Sequence, residues 1–217
     1  MLGNCKFGAE KEGLLKLTES KAREILGKNF IGSAELKKIV EVFPLEVPVQ
    51  LPEITFGEEF LKERKETHIL ILCVTKFSDN KDISIGEIRN KITSCNGNPC
   101  FYNQDWYLKE QFINKPLELK WLFVSNELLD ESRAMPADSV VKKYSLHSAV
   151  ELTYIFFVNF FVNNGEKLWN NDYVWCYDVD DKGDQIYVGR YTDASGLNAD
   201  GFEIHRHLRI KKNYGVV

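Results

Sequence analysis

Cysteine is scarce and badly placed for structural chemistry. The five thiols, Cys5, Cys73, Cys95, Cys100 and Cys176, are odd in number, and the one close pair, Cys95 and Cys100, brackets Asn-Gly-Asn-Pro in an expected loop. A disulfide framework is therefore not expected. Zinc would want a second close pair or a nearby imidazole, and His68, His147, His205 and His207 all lie elsewhere, so isolated reduced thiols are the expectation. There is no surplus of positive charge: Lys and Arg number 28 against 32 Asp and Glu, a net charge of −4. A general electrostatic grip on nucleic acid or on an anionic membrane is not expected. A Gly-rich phosphate loop, a nucleophile elbow and an HExxH zinc motif are all missing. The opening Met1-Leu-Gly-Asn-Cys-Lys has no apolar signal core, which leads to the expectation of a cytoplasmic protein. The longest apolar run, Leu152 to Asn164, would reach only about 20 Å as a helix where a bilayer core needs about 30 Å. It reads as a helix buried in protein.

What is present is an ordinary globular balance, 44% hydrophobic and 28% charged over 217 residues, enough for one generous domain or two small ones. Thr18 is expected to cap a short helix that carries Ala22, Ile25 and Leu26 and stops at Gly27; Ser33 is expected to cap a second with Leu36, Ile39, Val40 and Phe43. Pro44, Pro48 and Pro52 then make an extended connector. Residues 56–66 suggest a third helix, and His68 to Thr75, apolar at odd and even positions alike, a strand buried on both faces. Ser84-Ile-Gly-Glu87 and Ser148-Ala-Val-Glu151 have capping-box spacing, and Leu119 to Val124 reads as a strand. Of the 27 aromatic residues 21 lie after position 100, with all four Trp, so the main core is expected in that half. The expected fold class is α+β: a helical region with its connector over 1–52, then an α+β domain over 53–217.

From Tyr173 the pattern turns β. Tyr173 to Asp178 and Gln185 to Tyr191 flank Asp180-Asp-Lys-Gly-Asp184, a hairpin composition turning at Lys182-Gly183. A third strand is expected over Phe202 to Ile210. It puts Phe202, Ile204, Leu208 and Ile210 on one face and Glu203, His205, His207 and Arg209 on the other. Arg206 falls on the apolar side, where it needs a carboxylate, and Asp178 and Asp180 of the hairpin are the expected structural partners. Residues 172–184 carry five Asp and one Lys, while 201–217 carry four cationic side chains against Glu203. The two segments can pair through charge alone, or present a polar ligand-binding face. His205-x-His207 could also hold a metal with Glu203 or an aspartate. An EF-hand is excluded, because Lys182 takes a ligand position and Gly189 stands where the bidentate Glu belongs.

Phe101-Tyr-Asn-Gln-Asp-Trp-Tyr107, Leu119-Lys-Trp-Leu-Phe-Val124, Asn164-Gly-Glu-Lys-Leu168, Tyr173-Val-Trp175, Gly183-Asp-Gln-Ile-Tyr-Val-Gly189 and Gly196-Leu197 occur in that order. Together they resemble a group of uncharacterised bacterial proteins. The tails of that group resemble, over about the last 50 residues, the C-type-lectin-like variable proteins of diversity-generating retroelements. The resemblance implies a C-type-lectin-like, mostly antiparallel sheet with packed helices over about 100–217, displaying ligand contacts near the C-terminus without catalysis. The corresponding positions are Arg190, Tyr191, Asp193, Asn198, Asp200, Glu203, His205, Arg206, His207 and Arg209. Tyr187, Tyr191 and His207 are the expected anchors, since rigid amphipathic rings give contact area at low entropic cost.

Three functional expectations follow. The first is a protein that binds an unknown protein or small polar ligand, with no cofactor, no nucleic acid and no membrane. The second is an enzyme using His205 and His207 with Asp178 or Asp180 for metal or acid–base chemistry; it arises because a related lectin-like architecture also hosts an oxidase. The third is a module of a larger assembly, with the proline connector as a partner strand.

Overall fold

The computed structural model describes residues 16–92, 100–102, 104–169, 171–191, 201–206 and 212–217. It is a mixed α+β protein. Thr18 Oγ1 accepts the Lys21 N–H at 3.2 Å to start α1 (Glu19–Leu26), which stops at Gly27, held at φ +57° where L side chains are strained. After the short strand β1 (Phe30–Ile31) comes α2 (Ser33–Lys38). Its cap is Gly32, not the expected Ser33, because the Glu19 carboxylate takes both the Ser33 hydroxyl (2.6 Å) and the Ser33 N–H (2.7 Å). In the proline connector, β2 (Leu45–Glu46) pairs antiparallel with β4 (Lys76–Phe77) of the same chain. Between them lie α3 (Glu58–Arg64) and β3 (His68–Cys73). At the start of α4 (Ile85–Lys91), Ser84 accepts the Glu87 N–H, while the Glu87 carboxylate goes to Lys81 at 3.0 Å in place of the expected return bond.

Downstream come β5 (Cys100–Phe101), β6 (Lys120–Ser125), α5 (Ala137–Lys143), α6 (Ala149–Val162), β7 (Tyr173–Val179), β8 (Gln185–Tyr191), β9 (Gly201–His205) and β10 (Tyr214–Gly215). One sheet has the order β1-β3-β6, with β3 and β6 antiparallel from His68↔Ser125 to Cys73↔Lys120. The other has the order β10-β7-β8-β9-β5. Its centre, β7-β8-β9, is antiparallel throughout, and β10 and β5 join the two edges in parallel. The expected hairpin is formed, with Gly183 at φ +87° in its turn. The third strand is described to His205, and the remainder of its expected span, 207–210, lies outside the described residues.

Helix α6 packs against β3 of one sheet and β7 and β8 of the other. It is therefore buried all round, which explains a sequence apolar on every face. Ser148 and Glu151 form the complete capping box. The polar groups inside it are satisfied: Thr153 Oγ1 donates to the Ala149 carbonyl (2.6 Å), Tyr154 OH to the Leu72 carbonyl (3.0 Å), and Asn159 Nδ2 to the Glu166 carbonyl (2.9 Å). Phe156 and Phe157 meet Phe202 of β9 at 4.8 and 5.4 Å between ring centroids. Each fully buried Phe contributes roughly 2 kcal/mol through removal of apolar surface from water. Leu26, Phe30 and Phe43 join this same core, and the Trp121 indole donates to the Pro52 carbonyl at 3.0 Å. Residues on both sides of the boundary expected at 52 thus share one core. Among the described residues no helix is long and apolar enough to cross a membrane.

Gly189 of β8 lies opposite Tyr173 of β7. A Cβ there would sit 2.2 Å from the Asp172 carbonyl oxygen and 2.7 Å from the Tyr173 ring. The neighbour that must yield is backbone, so Gly189→Ala is expected to cost about 2 kcal/mol in a urea melt. A cost indistinguishable from zero would contradict the described packing of Tyr173.

Candidate functional site

Strand β9 divides its side chains between two environments. Phe202 and Ile204 enter the main core, while Glu203 and His205 face the other side of the sheet, opposite Gly189 and Tyr187 of β8. On that side Tyr173, Trp175, Tyr187 and Tyr214 form a second cluster, covered by Val140 of α5. Glu203, only 4% exposed, is at its edge. One carboxylate oxygen, Oε2, accepts the Tyr173 hydroxyl at 2.5 Å and lies 2.9 Å from His205 Nε2. Burial pushes the Tyr173 phenol far above its usual range, and the bond to Glu203 and its charge add to this. Tyr187 is pushed up by burial and by Tyr214 and Glu203 beside it. These phenols stay protonated.

The His205 ring lies over Tyr187, with centroids 5.8 Å apart, and meets Tyr173 edge-on. Its side chain is 21% exposed. Gln104 Nε2 approaches His205 Nε2 at 3.5 Å, and Gln104 Oε1 is buried with no hydrogen-bond partner. The imidazole is thus fixed by a buried carboxylate and a tyrosine face, with a partly unsatisfied amide next to it. Trp106 braces the strand by donating its indole N–H to the Ile204 carbonyl at 3.1 Å.

Arg206, the next residue, turns to the hairpin. Its Nη1 donates to Asp180 Oδ2 at 2.5 Å, lies 3.4 Å from Glu110 Oε1, and the guanidinium sits 4.4 Å from the centroid of the Trp106 ring. Asp180 Oδ1 accepts the Lys182 and Asp184 N–H groups at 2.9 and 2.8 Å, and Glu110 Oε2 accepts the Asp181 N–H. Burial would raise the Asp180 carboxyl; the Asp184 N–H, the Arg206 guanidinium and the Lys182 N–H outweigh it and hold it below its usual value. Asp178 has a different task. It accepts the Ala149 N–H at the start of α6 (2.7 Å) and Lys115 Nζ (2.6 Å), tying the hairpin to the central helix.

Not all the residues expected from sequence are brought together. Tyr187 and Glu203 are not on a surface: Tyr187 is 1% exposed, inside the aromatic cluster, because the opposite face of the sheet is covered too. They orient His205 and do not meet a ligand in this arrangement. Asp178 and Asp180 are spent on α6 and Arg206, and the carboxylate beside His205 is Glu203. Asp193, Asn198, Asp200, His207 and Arg209, and the side chains of Arg190 and Tyr191, lie outside the described residues. Cys5 and Cys95 do so as well. Cys73 and Cys176 are free and buried, and burial pushes both thiols well up. Among the described residues no three His, Cys, Asp or Glu side chains gather as a metal-holding group. Sequence reasoning missed Gln104, Trp106, Glu110 and Tyr173 as parts of the site. Tyr173 and Trp175 alternate with apolar residues on β7 and could have been placed on the outer face; nothing in the sequence marks Glu110. No protein-family model matches the chain, and no curated protein or solved structure matches it.

Proposed function

We propose that the protein binds a polar ligand, protein or small molecule, at the rim formed by His205 and Gln104, on a C-type-lectin-like fold related to the variable proteins of diversity-generating retroelements. The observation that carries this reading is the fixed imidazole of His205, about one-fifth exposed, beside an amide oxygen with no hydrogen-bond partner. A side chain already held in one rotamer loses little entropy on binding, and a buried acceptor without a donor gains from a ligand that supplies one. The antiparallel β7-β8-β9 sheet, with α6 on one face and the C-terminal β10 returned beside β7, suits a lectin-like scaffold. His207 and Arg209, which the sequence alternation assigns to the same side as His205, lie outside the described residues.

The Glu203–His205 pair also favours a second reading, acid–base or metal catalysis, since a carboxylate-bound imidazole is a common general base. The His205→Ala, His207→Ala double variant separates the two. Binding requires that it stay folded and lose the partner that the parent captures, with no stoichiometric zinc, iron or copper in either protein. Elemental analysis returning about one metal per chain, lost in the variant, would establish the enzyme instead. The proposed kinship is tested separately, by the presence beside the gene of a reverse-transcriptase gene and a near-copy repeat of codons 185–215.

A further inference from the structure

One end of the three-stranded sheet, where β3 begins at His68 and β6 ends at Ser125, carries a cavity of about 980 Å³. Its walls are the turns that lead into β1 and β3, the loop after β6 and the loop after α6. The two loops are bound to each other: the Trp169 indole donates to the Ser125 carbonyl at 3.1 Å, and Arg133 meets both oxygens of Asp172 at 3.1 and 3.2 Å. The space is therefore shaped before anything enters it. Six carboxylates line it against Lys28, Arg133 and Lys167, a balance of −3. Lys28 is taken by Glu166 at 2.8 Å, and Arg133 by Asp172 and Asp130. Glu127 has no ion pair among the described residues, Glu131 has only the longer-range charge of Lys143 near it, and Glu66 has an exposed contact with Lys65 at 3.7 Å. His68 adds no countercharge at neutral pH, since burial and the Arg64 charge lower its imidazole. The wall also holds an acceptor without a donor. Asn126 Oδ1 is buried with no hydrogen bond, and its orientation is fixed, because Nδ2 donates to the Glu66 carbonyl at 3.3 Å and a flipped amide would set two acceptors together.

We infer that this cavity is a second binding site and that it takes an organic polycation bearing ammonium groups, supplied by a free polyamine or by the lysine side chains of a basic peptide. Ammonium groups offset the charge of Glu66, Glu127 and Glu131. One ammonium N–H supplies the donor that Asn126 lacks. A bare metal ion suits the cavity less, because among the described residues no three His, Cys, Asp or Glu side chains gather as a metal-holding group. The site shares no residue with the His205 rim and does not rest on it.

Spermidine and tri-lysine are the probes, each titrated calorimetrically into the full chain at low salt. The expected result is one saturable site per chain. The Glu127→Gln, Glu131→Gln double variant should bind at least about tenfold more weakly, and Asn126→Ala about fivefold more weakly. Both glutamates are exposed, so the double variant should fold as the parent does. The Glu58→Gln, Glu59→Gln variant removes the same charge outside the cavity lining and should bind like the parent. Saturation by either probe supports the inference, and the tighter one identifies the source as polyamine or peptide. If Asn126→Ala does not fold, the two double variants decide. The inference is overturned if neither probe saturates, or if the two double variants weaken binding equally, which would mean diffuse charge attraction. Folded Asn126→Ala with the parent's affinity overturns it as well, since charge alone would then account for binding.

Discussion

Arg206→Ala is expected to remove about 3 kcal/mol of stability, because it strands a buried carboxylate. Asp180 is 0% exposed at its side chain, and Arg206 is 21% exposed. Once the guanidinium is gone, Asp180 keeps two backbone donors but loses its countercharge, Glu110 keeps the Asp181 N–H but loses its cation, and the face of Trp106 loses its partner. The loss reaches beyond the pair, since Arg206 joins the end of β9 to the β7–β8 turn and to the segment that carries Trp106. Arg209, three residues on and expected on the solvent side of the alternation, should cost no more than about 0.5 kcal/mol when replaced by alanine. Urea melts of the two variants check this. Equal, small losses would contradict the ion pair.

A second large effect is expected on acidification. Burial by itself would raise the Glu151 carboxyl, but hydrogen bonds from His147, Lys120 and the Ser148 N–H, with the Lys120 charge, bring it down to about 2 from 4.5. The carboxylate lies 2.5 Å from Lys120 Nζ and 2.7 Å from the Ser148 N–H, at the N-terminus of the central helix. A carboxyl depressed in the folded state stabilises fully above its unfolded value and loses that contribution as pH falls through the folded one. The shift corresponds to about 3 kcal/mol, lost between pH 4.5 and about 2. Asp180, also held low, adds to the same trend. Unfolding free energy measured from pH 6 down to about 2 should fall steeply in the parent and distinctly less in Glu151→Gln. Parallel curves would show that Glu151 does not carry the slope.

Local signals in the sequence revealed α1 to α4, α6 and the hairpin, but not α5. Thr18, the Ser148–Glu151 box and Gly183 each act through bonds within a few residues, so spacing alone reveals them. Ser33 misled because its hydroxyl answers to Glu19, fourteen residues away, and Glu87 because Lys81 competes for its carboxylate. Long-range closure was the part that could not be read. Nothing local announces that Asp178 caps α6, that Glu110 meets Arg206 across 96 residues, or that a cover lies over the outer face and hides Tyr187 and Glu203. Alternation on β9 put Glu203 and His205 on one side correctly, but it says nothing of whether that side meets water.

The central claim is that His205 and Gln104 form a binding rim, and an isotherm tests it most directly. The partner captured by the parent protein, once purified, is titrated calorimetrically against the parent, His205→Ala and Gln104→Ala. The account requires the parent to bind with a defined stoichiometry and each variant, folded at the temperature of the titration, to bind at least about tenfold more weakly. Affinities equal to the parent's in both variants would contradict it.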